Sequence, residues 1–263
     1  MNHPAAVWTA LQELRRNAPL VHSITNYVAM DITANALLAV GASPAMVHAT
    51  EEVEDFAGIA QALVVNIGTL SPAWVEAMVR AAERASAAGK PWVLDPVGAG
   101  ATPYRTGVAG ELLRRRPTVL RGNASEILAL GGGAARTRGV DSVDASEQAL
   151  EVARGLAREG GGVVAVTGAV DYVTDGERVL SVSNGHPMMT RITALGCTAT
   201  ALVAAFLVVE PDPVLAAAQA LAVLGLCGEI AARDAEGPGS LRWRLLDALY
   251  RLDEEALLGV RIA

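Results

Sequence analysis

The sequence predicts an α/β protein, a three-layer α/β/α sandwich whose central sheet is mostly parallel and gains antiparallel strands at one edge. Three observations predict it. Short β-like runs at residues 20–24, 63–67, 92–94, 118–120 and 163–167 are apolar throughout rather than alternating, as expected of strands buried on both faces. Longer alanine-rich stretches with helical character separate them. Asp175-Gly176, set between β-type residues from Tyr172 to Val182, signals a hairpin. No repeat, low-complexity tract or Pro/Ser-rich linker interrupts the pattern, so all 263 residues are expected to form one domain.

The boundaries follow from local chemistry. Ser71 offers an N-cap and Pro72 a first helical residue for a helix that Gly89 closes near residue 88. Arg114-Arg115-Arg116 is expected on the exposed end of a helix terminated by Pro117. Asn123 is placed to cap a short helix over residues 124–130. Residues 144–159 read as a further helix, ended by Gly160-Gly161-Gly162. After the hairpin come a polar turn and three successive helices, at 197–209, 213–232 and 240–252.

Composition narrows the function. With 52% hydrophobic residues the chain can fill a full core, and its formal charge of −7 argues against nucleic acid or an anionic membrane as partner. Two cysteines fit a reducing compartment rather than a disulfide framework, and the start of the chain lacks the pattern of a signal peptide, so a cytoplasmic location is expected. The apolar stretches 198–209 and 214–228 fall short of the ~20 residues a spanning helix needs, and are expected to be core helices.

The stretch from Thr190 to Val209 carries the chemistry. A polar turn passes through Gly196 into a helix that is apolar on nearly every face and must therefore be buried. The unpaired N–H groups and partial positive charge of its N-terminus then point into the protein, where a phosphate or a developing oxyanion is the natural partner. Cys197 falls in the first turn, where the helix field is expected to favour its thiolate. Cys227 reads as a small buried hydrophobe.

In open parallel sheets, ligands bind beyond the carboxyl ends of the strands. There the chain places Thr25-Asn26-Tyr27, Gly68-Thr69, Asp95-Pro-Val-Gly98, Arg121-Gly-Asn123-Ala-Ser-Glu126 and Thr167-Gly168. Asp95 and Glu126 are the carboxylates best placed to organise Mg²⁺, and Arg121 can clamp a phosphate. Each has a plainer explanation: Asp95 as a turn cap, Glu126 as a solvated first-turn residue, Arg121 as an ion-pair partner, Thr167-Gly168 as a strand-to-turn switch. Gly98-Ala-Gly100 lacks the third glycine of a dinucleotide fingerprint, Gly131-Gly132-Gly133 follows a helix, and no GxxxxGK[ST] loop is present. His3, His22, His48 and His186 show no metal-ligand spacing and read as surface or hydrogen-bonded residues, and Met46 alone reads as core.

Taken in order, Val21-His-Ser-Ile-Thr-Asn-Tyr-Val28, Gly41-Ala-Ser-Pro-Ala-Met46, Asn66-Ile-Gly-Thr-Leu70, Leu94-Asp-Pro-Val-Gly-Ala-Gly-Ala-Thr102, Arg121-Gly-Asn-Ala-Ser-Glu126, Val166-Thr-Gly168 and Gly196-Cys197-Thr resemble the hydroxyethylthiazole kinase family of the ribokinase-like superfamily. The resemblance implies transfer of the ATP γ-phosphoryl group, with Mg²⁺, to the hydroxyl of 4-methyl-5-(2-hydroxyethyl)thiazole in thiamine salvage. It implies ATP contacts at Arg121 and Thr167, thiazole contacts at Met46 and Ala194, substrate-pocket positions at Asn26 and Gly68, and metal-organising carboxylates at Asp95 and Glu126. It also implies a homotrimer with its sites at subunit interfaces. The family's usual turn is Gly-Thr-Gly-Cys; here it is Ala194-Leu195-Gly196-Cys197, which keeps the backbone amides and removes a side-chain hydroxyl.

In this reading the amides of Ala194 to Cys197 stabilise charge on the transferred group. Cys197 stands where related sugar kinases carry an aspartate base; it is expected to help rather than to be required, so that Cys197→Asp stays active. The rival readings are a kinase of another heterocyclic alcohol (hydroxymethylpyrimidine or pyridoxal type), an ATP- or ADP-dependent dehydratase of hydrated nicotinamide cofactors on the same fold, and a nucleotide sensor without turnover.

Overall fold

The computed structural model describes residues 2–132 and 142–263. Eight strands form one sheet in the order β2-β1-β3-β4-β5-β6-β7-β8: β1 Leu20–Ile24, β2 Ser43–Ala45, β3 Ala62–Asn66, β4 Trp92–Asp95, β5 Val119–Asn123, β6 Val163–Thr167, β7 Asp171–Thr174 and β8 Val179–Val182. The pairs from β2 to β6 are parallel, and β7 and β8 add antiparallel strands at one edge, as the Asp175-Gly176 signal predicts. Gly176 takes φ +97° in that turn.

The apolar runs are buried on both sides because helices cover both faces. Val64 and Val93 face one core, while Leu63, Val65, Trp92 and Leu94 face the other, following the two-residue period of a strand. The first layer holds α1 (His3–Asn17), α2 (Met30–Val40), α8 (Leu195–Phe206), α9 (Pro213–Ala232) and α10 (Pro238–Arg251). The second holds α3 (Val53–Ile59), α4 (Pro72–Ala87), α5 (Pro103–Leu113), α6 (Ala124–Leu130) and α7 (Ser142–Gly160). α9 is long and apolar enough to cross a membrane by composition, but most of it is buried inside the protein.

Capping chemistry sets several boundaries where expected. The Ser71 side chain accepts from the Trp74 amide at the head of α4, and Asn123 with Glu126 forms a reciprocal capping box on α6. Other boundaries shift. The strand expected at 118–120 extends to Asn123, so Arg121 lies within β5 rather than beyond it. Helix α8 opens two residues early, at Leu195, and ends at Phe206, ahead of a turn through Val209. α5 stops at Leu113, which puts the arginine triplet in the turn after it; Arg115 pairs there with Glu83 and Glu111. β2 has no apolar run to announce it: three residues long and containing Pro44, it is tolerated because it lies on the sheet edge. Gly133, the last of the glycine triplet, lies outside the described residues.

Strand β1 leads through α2 to β2 on one side, and the chain then returns to place β3 on the other side of β1. The order therefore reverses between β1 and β3, and a crevice beyond the carboxyl ends of these strands is the place for a ligand.

Candidate active site

Three side chains at adjacent strand ends make a buried polar chain. Asn26 follows β1, Asn66 ends β3 and Asp95 ends β4. Asn26 Nδ2 donates to Asn66 Oδ1 (2.9 Å), and Asn66 Nδ2 donates to Asp95 Oδ2 (2.8 Å). Helix α8 joins the same network, for Thr200 Oγ1 donates to Asp95 Oδ2 (2.8 Å) and Asn26 Nδ2 donates to Cys197 Sγ (3.3 Å). Gly68 closes it: its amide donates to Asn66 Oδ1 (2.9 Å), and a Cβ there would stand 2.6 Å from Asn26 Nδ2. Arg105, on α5, holds the surrounding loops by donating to the carbonyls of Ile67, Val97 and Gly68.

Asp95 is fully buried and its pKa is raised to about 6, chiefly by burial, with Glu126 adding to the shift while Arg121 and the two hydrogen bonds oppose it. Its Oδ1 accepts no hydrogen bond from the described residues and lies 3.9 Å from Arg121 Nη1. Glu126 Oε1 accepts from the Gly98 amide (2.9 Å) and Oε2 from the Asn123 amide (2.9 Å). The Gly98-Ala-Gly100 stretch is thus a carboxylate-binding turn, with positive φ at both glycines, and not a dinucleotide fingerprint.

The head of α8 faces Arg121. The guanidinium donates to Thr167 Oγ1, and a Cβ on Gly196 would approach Arg121 Nη1 to 2.7 Å. Ala194, the N-cap residue, adopts φ +65°, a left-handed conformation that favours glycine. A cation held against the positive end of a helix is electrostatically unfavourable unless an anion completes the site. Arg121, Thr167, Ala194, Leu195 and Gly196 line a cavity of about 830 Å³ that continues along apolar walls from Pro187, Met189, Leu221 and Leu224.

The structure thus brings Asn26, Gly68, Asp95, Glu126, Arg121, Thr167, Ala194, Gly196 and Cys197 to one end of the sheet. Met46, half-buried, follows the parallel edge strand β2 at the same end; like Asn26, Gly68, Asp95, Glu126 and Cys197 it is not among the residues that line the cavity. The expected thiolate at Cys197 is corrected: burial raises the thiol's pKa and the Asp95 carboxylate pushes the same way, against the hydrogen bonds from Asn26 and Asn66 and the Arg121 charge. His22 is buried and hydrogen-bonded to the Val47 carbonyl (2.7 Å), and burial lowers its pKa; His186 lines the cavity. Asn66, Thr200 and Asp171 are site residues that sequence reasoning did not single out. Asn66 carried a usable signal, a polar residue closing an apolar strand as Asp95 does; Thr200 carried a weaker one, a hydroxyl four residues after Gly196 inside an apolar helix.

A nucleotide-sized cavity at the head of a buried helix, beside carboxylates at the ends of parallel strands, defines a phosphotransferase site on a ribokinase-like fold. The fold is shared with a ribokinase-like superfamily protein from Enterococcus faecalis V583 (14% identity, TM-score 0.67, covering 92% of this chain and 93% of that one). Residues 11–255 match the model of the hydroxyethylthiazole kinase family. A hydroxyethylthiazole kinase from Cereibacter sphaeroides is 57% identical over 249 residues, 95% of each chain. One from Syntrophus aciditrophicus is 56% identical over 254 residues, 96% of this chain and 94% of that one. The structure of the hydroxyethylthiazole kinase protein from Pyrococcus horikoshii OT3 superposes with a TM-score of 0.91 at 46% identity, over 98% of both chains. The chain belongs to the hydroxyethylthiazole kinase family and is a kinase.

Proposed function

We propose that the protein transfers the γ-phosphoryl group of ATP to the hydroxyl of 4-methyl-5-(2-hydroxyethyl)thiazole, giving the thiazole phosphate and ADP. The alcohol oxygen forms the new P–O bond as the bond to the β-phosphate oxygen breaks; the alcohol proton departs and ADP is the leaving group. The observation that carries this reading is the pairing of Arg121 with the open head of α8, a fixed cationic cradle beside buried Asp95. A loose phosphoryl-transfer transition state asks mainly for positioning and charge stabilisation, which such a cradle supplies.

Arg121, Thr167 and the amides from Ala194 to Cys197 hold the transferred group. Asn26, Gly68, Ala194 and Met46 meet the thiazole alcohol. Cys197, kept as a neutral thiol by its surroundings, positions the alcohol without a need to ionise. Mg²⁺ bound with the nucleotide supplies positive charge to the phosphate oxygens. Such an ion binds through one or two carboxylates together with waters and phosphates. Asp95, whose buried Oδ1 meets no donor among the described residues, and Glu126 would hold it.

We read the chain as one catalytic domain of a cytoplasmic homotrimer. Both cysteines are free thiols, and Met46 lies at the sheet-edge side, where a neighbouring copy could complete its substrate contacts. The experiment is to incubate the protein with Mg·ATP and thiazole, pyrimidine and pyridoxal alcohols and to follow ADP release. Preferential turnover of the thiazole alcohol is expected, with kcat/KM reduced at least 100-fold by Arg121→Ala. Turnover of another alcohol alone would overturn the substrate assignment.

A further inference from the structure

Asp171 opens β7 and lines the same cavity, where it is the one carboxylate among the described lining residues. Its Oδ1 accepts from the Gly168 amide (2.9 Å), which closes the turn directly after Thr167. No protein donor among the described residues reaches its Oδ2. An anion in a cavity that takes a polyphosphate is repelled by the phosphates and is tolerated only where it meets hydrogen-bond donors of the ligand. ATP carries such donors in two places, the ribose hydroxyls and the exocyclic amine of adenine. The turn places Asp171 beside the phosphate-holding end, three residues after Gly168, which follows Thr167, and within the field of Arg121. The ribose is the donor that falls next to the phosphates.

We propose that Asp171 is the residue that reads the ribose of the nucleotide, accepting a hydrogen bond from a sugar hydroxyl on Oδ2 while Oδ1 holds the Gly168 turn. The burial that raises this carboxyl's pKa to about 6 is consistent with a site designed to be covered by ligand. The assignment rests on the reading of the cavity as the ATP site. It predicts discrimination between ribonucleotides and deoxyribonucleotides, which a purely structural role for Asp171 would not produce.

The test compares ATP, 2′-deoxyATP and 3′-deoxyATP as phosphoryl donors for wild type, Asp171→Ala and Asp171→Asn. In wild type, removal of the recognised hydroxyl is expected to raise KM at least tenfold, the size of a charge-assisted hydrogen bond. Asp171→Ala is expected to raise KM for ATP by a similar factor and to lose the penalty for the deoxynucleotide. Asp171→Asn keeps an acceptor for Gly168, so it controls for loosening of the turn and is expected to lose most of the discrimination with a thermal midpoint no lower than that of wild type. Equal use of all three nucleotides by wild type, or a deoxy penalty that survives in both variants, would overturn the assignment. Failure of wild type to turn over ATP at all would instead overturn the kinase reading.

Discussion

At the scale of single residues, the site holds a carboxylate under electrostatic tension. Asp95 has a folded-state pKa of about 6 against an ordinary value of 3.8, so between roughly pH 4 and 6 the folded protein binds more protons than the unfolded chain. Its contribution therefore turns unfavourable as pH rises through that window, by up to about 3 kcal/mol for a shift of this size. In metal-free protein with chelator present, Asp95→Asn is expected to raise the unfolding free energy above pH 7 by up to that amount. The gain should shrink toward zero near pH 4, while activity is lost. Urea melts across the pH range measure it, and a gain independent of pH would contradict the linkage. Gly196 exerts its effect through space instead. A methyl group there meets the movable end of Arg121, so Gly196→Ala should fold normally yet raise KM for ATP and lower kcat, together costing at least tenfold in kcat/KM.

Among the elements, α6 shows how a helix start becomes part of a site. Asn123 Oδ1 accepts from the Glu126 amide (3.0 Å), and Glu126 returns a carboxylate oxygen to Asn123 while its other oxygen binds the Gly98 amide. Asn123→Ala is expected to cost about 1 kcal/mol of stability and to lower activity by loosening Glu126, and Asn123→Ser should restore the stability. Denaturation and steady-state kinetics on the two variants separate the effects. This cap was legible in the sequence because its spacing is local, and the buried parallel strands were legible because burial on both faces leaves unbroken apolar runs. The contacts between elements were less so. Nothing in the neighbourhood of Thr200 tells that its hydroxyl ends on Asp95, and the edge strand Ser43–Ala45, with Pro44 at its centre, lacks the composition of a strand. The thiolate expected at Cys197 failed for a related reason: the helix field was visible in sequence, but the burial and the nearby Asp95 carboxylate that raise the thiol's pKa arise only from the fold.

Across the whole molecule, α8 serves two purposes at its two ends. Its first turn borders the cavity and the carboxylate network, while the remainder, from Thr198 to Phe206, is buried between the sheet and the helices of the first layer. Phe206 is fully buried at the far end, ten residues from Gly196, or ~15 Å along the helix axis at 1.5 Å per residue. Removal of its ring leaves a cavity deep in a close-packed layer, for which a loss of 3–5 kcal/mol is the usual scale. That loss is set by packing and acts on the equilibrium between folded and unfolded protein. It arises far from the site, where Arg121 is bonded to Thr167 of β6 and Asp95 to Asn66 of β3 as well as to Thr200 in the second turn of α8. Phe206→Ala should therefore lower the urea midpoint markedly while kcat and KM per folded molecule at 25 °C stay within about twofold of wild type. A large change in KM for ATP in the folded variant would show that the helix transmits packing strain to its own N-terminus, and that the cradle depends on the core rather than on its local bonds.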